Sequence, residues 1–162
     1  MRHVFWLRPG VIGGRTGPNH DTWDPKDLAA GGIGAVLSVN DGDLVRPDEL
    51  AAAGIEYCHV PLSDAAPPRP GDLEICMRAL PRALLFAVES IARKRSVLVH
   101  CRSGKDRTGL FLSYYLCMVE GMTPSEAVRE LRRVRPIALS AEGWEPFSYQ
   151  VLGKLVTTPR SR

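Results

Sequence analysis

Long apolar runs are missing from this sequence. The longest uncharged, apolar-rich stretch covers residues 110–119, well short of the ~20 residues a spanning helix needs, and no transmembrane segment is expected. The first ten residues hold only four consecutive apolar side chains, Val4 to Leu7. A secretory signal needs a hydrophobic region of ~7–15, so a cytoplasmic location is the default expectation. Cysteine is sparse: Cys58, Cys76, Cys101 and Cys117 lie 18, 25 and 16 positions apart, which makes neither a CxxC pair nor a disulfide framework. Each is therefore read singly. Neither charge sign dominates, since 21 Lys and Arg against 18 Asp and Glu leave a net charge of +3, too little to argue for a nucleic-acid partner. The basic clusters Arg93-Lys94-Arg95 and Arg129/Arg132/Arg133/Arg135 read as solvated helix faces. His3, His20 and His59 are too scattered for a metal site, and no metal or other cofactor is expected. Repeats, low-complexity segments and linkers are absent too, so residues 1–162 read as a single domain, with 44% hydrophobic and 24% charged residues to build a core.

Short apolar or β-branched runs near 4–7, 10–13, 35–39, 55–62 and 97–100, bounded by Gly, Pro, Asn or Asp, predict strands. Helical spacing of Leu84, Leu85, Val88, Ile91 and Ala92 predicts a helix over about 79–94. The segment 109–120 is apolar on nearly every side and predicts a helix running through the core. Thr123-Pro124-Ser125-Glu126 has the form of a capping box with proline in the first turn, and the helix it starts should stop at Arg135, before Pro136. A last amphipathic stretch covers about 146–156. The order of these elements predicts an α/β domain with a helix-covered central sheet.

The informative segment runs from Val97 to Gly109 and reads VLVHCRSGKDRTG, with Cys101 and Arg107 six positions apart between a buried strand and a buried helix. A short loop from a strand end into a helix start turns backbone N–H groups toward one centre, and the helix adds its positive end, so an anion is held there. Gly104 lets the loop curl, and Arg107 can fork two donors onto a phosphate. The backbone of Arg102, Ser103, Gly104, Lys105, Asp106 and Arg107 would form the cradle, with Cys101 at its base. A thiol in such a setting is pushed toward thiolate and becomes a nucleophile aimed at phosphorus. His100 can fix the loop, and the Thr108 hydroxyl can hydrogen-bond the departing sulfur. The implied reaction is phosphate-ester hydrolysis through a phosphocysteine. Cysteine is also among the most buried residue types, and a CxxxxxR pair alone recurs by chance. The complete string between a Val/Leu strand and an apolar helix is what favours chemistry over packing.

HCRSGKDRTG resembles the signature loop of the cysteine-dependent protein tyrosine phosphatases, specifically the small dual-specificity-like branch. WLRPGVIGGR, GIGAVLSVNDG, GIEYCHVPLSD and TPSEAVRELRRVRP fall in the order such domains show. The resemblance implies a central mixed sheet flanked by helices, no metal, and a phosphate or vanadate ion as a ligand of the loop. It also implies a general acid on a mobile loop upstream of the cysteine. Asp64 matches by position, 37 residues before Cys101 and followed by the Pro- and Gly-rich AAPPRPGD.

Several alternatives stay open. Asp64 also suits a plain turn after a strand. Asp72 reads better as a helix N-cap. Asp106 competes as the acid, because phosphatases acting on phosphoinositides can carry an Asp before the loop arginine; its bland reading is an ion pair with Lys105 or a neighbouring arginine. The expected substrate is a protein carrying phosphotyrosine, phosphoserine or phosphothreonine, with a phosphoinositide or other polyphosphate as the alternative, since Lys105 at the rim favours a second phosphate and Asp106 partly cancels it. With 7% aromatic residues, and Tyr114 and Tyr115 expected to be buried, a shallow site is expected. Asn40-Asp41-Gly42-Asp43 is a turn that could border the pocket, and Ser140 is a candidate for orienting water. Gly13-Gly14-Arg15-Thr16-Gly17 reads as a strand-end turn, and Trp6, Trp23 and Trp144 as packing residues. Cys58, Cys76 and Cys117 read as core residues, with a protective disulfide to Cys101 as the alternative. Two other functions remain: a phosphate-binding module without turnover, which the intact Cys101, Arg107 and Thr108 argue against, and a sulfur- or arsenate-handling enzyme, whose loops generally lack the Arg-Thr-Gly continuation.

Overall fold

A computed structural model describes residues 1–156 of the chain; residues 157–162, the end of the expected single domain, lie outside the described residues. Five strands form one sheet: β1 (Phe5–Arg8), β2 (Ile12–Thr16), β3 (Ile33–Ser38), β4 (Glu56–His59) and β5 (Ser96–Cys101), in the spatial order β1-β2-β5-β3-β4. Only the β1/β2 pair is antiparallel, so the sheet is mixed and helix-flanked, as expected. β5 is the central strand, and its last residues are in register with the ends of its neighbours, Cys101 with Thr16 and His100 with Ser38.

Strand periodicity decides which way the end of β5 faces. Val97, Val99 and Cys101 join the larger apolar cluster, whereas Leu98 joins the smaller one, because successive side chains alternate between faces. The larger cluster is covered by α3 (Asp72–Ala92), α4 (Arg107–Glu120), α5 (Pro124–Val134) and α6 (Trp144–Val156). Residues 108–117 of α4 are all buried, Tyr114 and Tyr115 among them, and Gly121 ends the helix at φ 73°. The capping box of α5 is present: Glu126 N–H donates to Thr123 Oγ1 at 3.2 Å and Thr123 N–H donates to Glu126 Oε1 at 2.9 Å. Arg135 is its C-cap.

Four local readings change. α1 (Pro25–Ala30) and α2 (Pro47–Ala52) are helices of six residues each, too short to leave a periodic signature. α3 begins at Asp72 rather than near 79 and continues through Pro81, because burial of Cys76, Ala79, Leu80 and Ala83 outweighs the bond that proline forgoes. Asp72 is accordingly the first helical residue and not the N-cap, which is Gly71 at φ 95°. The Asp72 carboxylate instead accepts from Arg69 N–H at 2.7 Å and shapes the preceding loop. Residues 13–16 lie within β2, so the segment read as a strand-end turn is mostly strand.

Candidate active site

The loop between β5 and α4 has a property that follows from its hydrogen bonds taken in sequence. Cys101 C=O accepts from His100 Nδ1 at 3.0 Å. Arg102 C=O accepts from Gly17 N–H at 3.0 Å. Ser103 C=O accepts from Arg135 Nη2 at 2.8 Å and Gly104 C=O from Arg135 Nε at 3.2 Å. Lys105 C=O accepts from Leu139 N–H at 3.2 Å. Five consecutive carbonyls are thus drawn outward by groups that lie outside the loop. In a trans peptide the N–H points opposite to the C=O of the same plane, so the N–H groups of residues 102–106 face the other, inner side. Such a concave row of donors at a helix start holds an anion. Gly104, at φ 65°, is where the curl requires glycine: a Cβ there would lie 2.5 Å from Arg15 O and 2.7 Å from Thr16 N. Gly17 meets the loop as closely, since its Cβ would lie 2.3 Å from Cys101 O.

Cys101, 1% exposed, lies at the base. Thr108 Oγ1, one residue into α4, donates to its Sγ at 3.1 Å. Behind the loop, Tyr57 Oη donates to Ser38 Oγ at 2.7 Å, and Ser38 in turn bonds His100 Nε2. The carbonyl of Cys101 requires the proton on Nδ1, which makes Nε2 the acceptor from Ser38. Burial pushes the His100 pKa down to about 4 and the bond to the Cys101 carbonyl opposes it, so the imidazole is neutral at ordinary pH.

Arg107 Nε donates to Ser63 C=O at 2.7 Å, and its guanidinium carbon sits 4.7 Å from the centre of the Trp144 ring. Asp64, next in sequence to Ser63, is paired with Arg69 and its side chain is 73% exposed. Asp64, Arg102 and Arg107 line one concavity of about 430 Å³, whose rim includes Asn40, Asp41 and Asp43. The turn at 40–43 therefore borders the pocket. Asp106 is placed differently. One carboxylate oxygen accepts from Ala141 N–H at 3.1 Å, the other pairs with Lys105 Nζ at 3.1 Å, and its side chain is 5% exposed. Asp106 is thus held in an ion pair with Lys105. Ser140 is exposed beside Ala141.

The structure brings Cys101, Thr108 and the backbone of residues 102–106 together, and Asp64 shares a concavity with Arg102 and Arg107. Sequence reasoning read Arg135 as a helix end within a basic cluster and Trp144 as packing, and missed the contacts each makes at the site. Arg135 braces two loop carbonyls and lies over the Phe5 ring at 5.2 Å. The other cysteines are free thiols. Burial pushes Cys76 up to about 12, with the nearby Asp72 adding to it and Arg107 opposing, and pushes Cys117 up to about 11. Among the described residues no cluster of His, Cys, Asp and Glu has the makings of a metal site, and no helix is long and apolar enough to cross a membrane.

Residues 1–147 match the family model described as PTP-SAK, Swiss Army Knife protein, DSP-PTPase phosphatase domain. Dual specificity protein phosphatase 12 of Rattus norvegicus is 29% identical over 162 residues, covering 96% of this chain and 44% of the relative. The Homo sapiens protein of the same name is 30% identical over 137 residues, covering 83% of this chain and 38% of the relative. The chain thus spans less than half the length of these relatives. Among solved structures, Tk-PTP in its active form superposes with a TM-score of 0.77 at 24% identity, covering 98% of this chain and 99% of that one. PTPMT1 in complex with PI(5)P gives 0.70 at 16% identity, covering 90% and 92%; both likenesses concern the fold.

Proposed function

The chain belongs to the PTP-SAK family of DSP-PTPase phosphatase domains, and on that footing we propose that it hydrolyses phosphate monoesters through a phosphocysteine on Cys101. The observation that carries the reading is the row of five outward carbonyls, which leaves an inward row of N–H donors above a sulfur already hydrogen-bonded by Thr108. The phosphoryl oxygens rest on the N–H groups of residues 102–106, with the Arg107 guanidinium completing their neutralisation. The chemistry calls on no metal ion, and inorganic phosphate or vanadate would occupy the same cradle.

In the first step the Cys101 thiolate attacks phosphorus and the bond to the leaving oxygen breaks, its electron pair going to that oxygen, which takes a proton from the Asp64 carboxyl. In the second, water attacks phosphorus and gives its proton to the Asp64 carboxylate. The S–P bond breaks, the sulfur departs as a thiolate accepting the Thr108 hydrogen bond, and inorganic phosphate is released. Asp64 is favoured over Asp106 because both Asp106 oxygens are engaged away from the pocket, whereas Asp64 lines it. The substrate we favour is a protein carrying phosphotyrosine, phosphoserine or phosphothreonine. Lys105, the cation that would hold a second phosphate, is tied to Asp106, and Asp41 and Asp43 at the rim oppose a polyanion. A phosphoinositide is the alternative, suggested by the ligand named with PTPMT1. The domain is taken as residues 1–162, acting in the cytoplasm, where reducing conditions keep the thiol free.

The test is turnover of p-nitrophenyl phosphate, inhibited by vanadate. Cys101→Ser should abolish turnover and keep phosphate binding, while Arg107→Ala should lose both. Turnover that survives in Cys101→Ser would overturn the reading. Phosphopeptides and phosphoinositides compared at equal concentration decide the substrate class.

A further inference from the structure

Two peptide carbonyls flank Asp64, and each is held by a group outside its loop. Ser63 C=O accepts from Arg107 Nε at 2.7 Å, and Ala65 C=O accepts from the indole Nε1 of Trp144 at 3.0 Å. The two donors also touch each other, with the Arg107 guanidinium 4.7 Å from the centre of the Trp144 ring. Trp144 is fully buried. A buried indole N–H needs an acceptor, and the acceptor here belongs to the residue that follows Asp64. The segment leading into α6 is tied to the anion loop as well, through Leu139 N–H on Lys105 C=O and Ala141 N–H on an Asp106 oxygen. Gly143, at φ 79°, presses on the same loop as Asp64: a Cβ there would lie 3.0 Å from Pro67 Cβ and 3.1 Å from Pro68 Cδ.

From this arrangement we propose that Trp144 is a positioning residue for the general acid, fixing the backbone on one side of Asp64 while keeping the guanidinium that fixes the other side in its phosphate-binding pose. The inference rests on the assignment of Asp64 as the acid. Its consequence is selective: an acid displaced by a fraction of an ångström matters when the leaving oxygen needs a proton, and matters little when the leaving group departs unaided.

The experiment compares phenyl phosphate, a poor leaving group, with p-nitrophenyl phosphate, a better one, in Trp144→Phe, which keeps an aromatic ring and removes the indole N–H. The kcat/KM for phenyl phosphate, which reports formation of the phosphocysteine and not its hydrolysis, should fall by ~10-fold or more out of the ~100- to 10,000-fold that general acid catalysis supplies, and that for p-nitrophenyl phosphate by less than about threefold. In the Asp64→Asn background the same substitution should add almost nothing, because the acid it positions is already gone. Gly143→Ala, which pushes the loop through a different contact, should give the same selective loss and covers the case in which Trp144→Phe folds poorly. Equal losses on both substrates, or an undiminished effect in Asp64→Asn, would show a packing role only and overturn the proposal. If Asp64→Asn itself has no leaving-group dependence, the acid assignment falls, and this inference with it. If wild-type protein turns over neither ester, the phosphatase reading has failed.

Discussion

Replacing Thr108 by Val isolates one hydrogen bond. The side chain is fully buried, and valine keeps the branched shape, so the substitution removes the hydroxyl that donates to Cys101 Sγ at 3.1 Å without opening a cavity. A hydrogen bond to a charged acceptor is worth about 1.5–3 kcal/mol. Nearly all of that is felt in the second chemical step, when sulfur leaves phosphorus and takes up full negative charge. At tenfold per 1.36 kcal/mol, breakdown of the phosphocysteine should slow by roughly 10- to 150-fold. Attack by the thiolate is not slowed in proportion, since a less solvated sulfur is the stronger nucleophile. Turnover should then become limited by dephosphorylation, and rapid mixing with p-nitrophenyl phosphate should reveal a burst of p-nitrophenol approaching one equivalent per enzyme. A steady-state kcat within threefold of wild type and no burst would refute the argument that Thr108 serves the departing sulfur.

Other outcomes follow from the same geometry. Asp106→Asn breaks the ion pair with Lys105 and should cost about 1–3 kcal/mol in urea unfolding, with equal rate losses on good and poor leaving groups; a selective loss on poor ones would return the acid role to Asp106. Gly104→Ala should cost at least ~1–2 kcal/mol for the left-handed backbone alone, and because the added Cβ meets Arg15 and Thr16 backbone it should abolish vanadate binding measured by titration calorimetry. His100 binds its proton only near pH 4 in the folded state against 6.5 ordinarily, so the unfolded chain protonates first as the pH drops. Stability from this group is therefore intact above pH 6.5 and declines by about 3 kcal/mol on going down to pH 4. His100→Asn should flatten that part of the urea midpoint profile, and an unchanged profile would refute the claim of a neutral, buried imidazole.

The anion loop was legible because strand, loop and helix are contiguous: Cys101, Arg107 and Thr108 lie within eight positions of sequence, and the chemistry they share follows from that order. The sheet was legible from β-branched runs between turn residues. What escaped comes from far along the chain. Arg135 and Leu139 reach the loop carbonyls from more than 30 positions away, and Trp144 reaches Ala65 from 79. No local pattern marks an arginine before Pro136 as a brace, or one tryptophan among three as the ring beneath a guanidinium. Ser38 and Tyr57 meet His100 only because β3 lies between β4 and β5. Asp64 is intermediate: its residues alone allow a turn, and its place in a concavity with Arg102 and Arg107 depends on how the loop to α3 is held.

The inner wall of the phosphate cradle is made of main-chain dipoles, and amides do not titrate in the range where proteins are folded. The attraction of that wall for an oxyanion is therefore constant with pH, and the acidity of the medium reaches it through the ester's own second ionisation. Such a wall also carries no side chain that oxidation or acylation could alter. Oxidation and acylation act instead on the Cys101 sulfur and on the side chains that brace the loop from behind, His100 and Arg135.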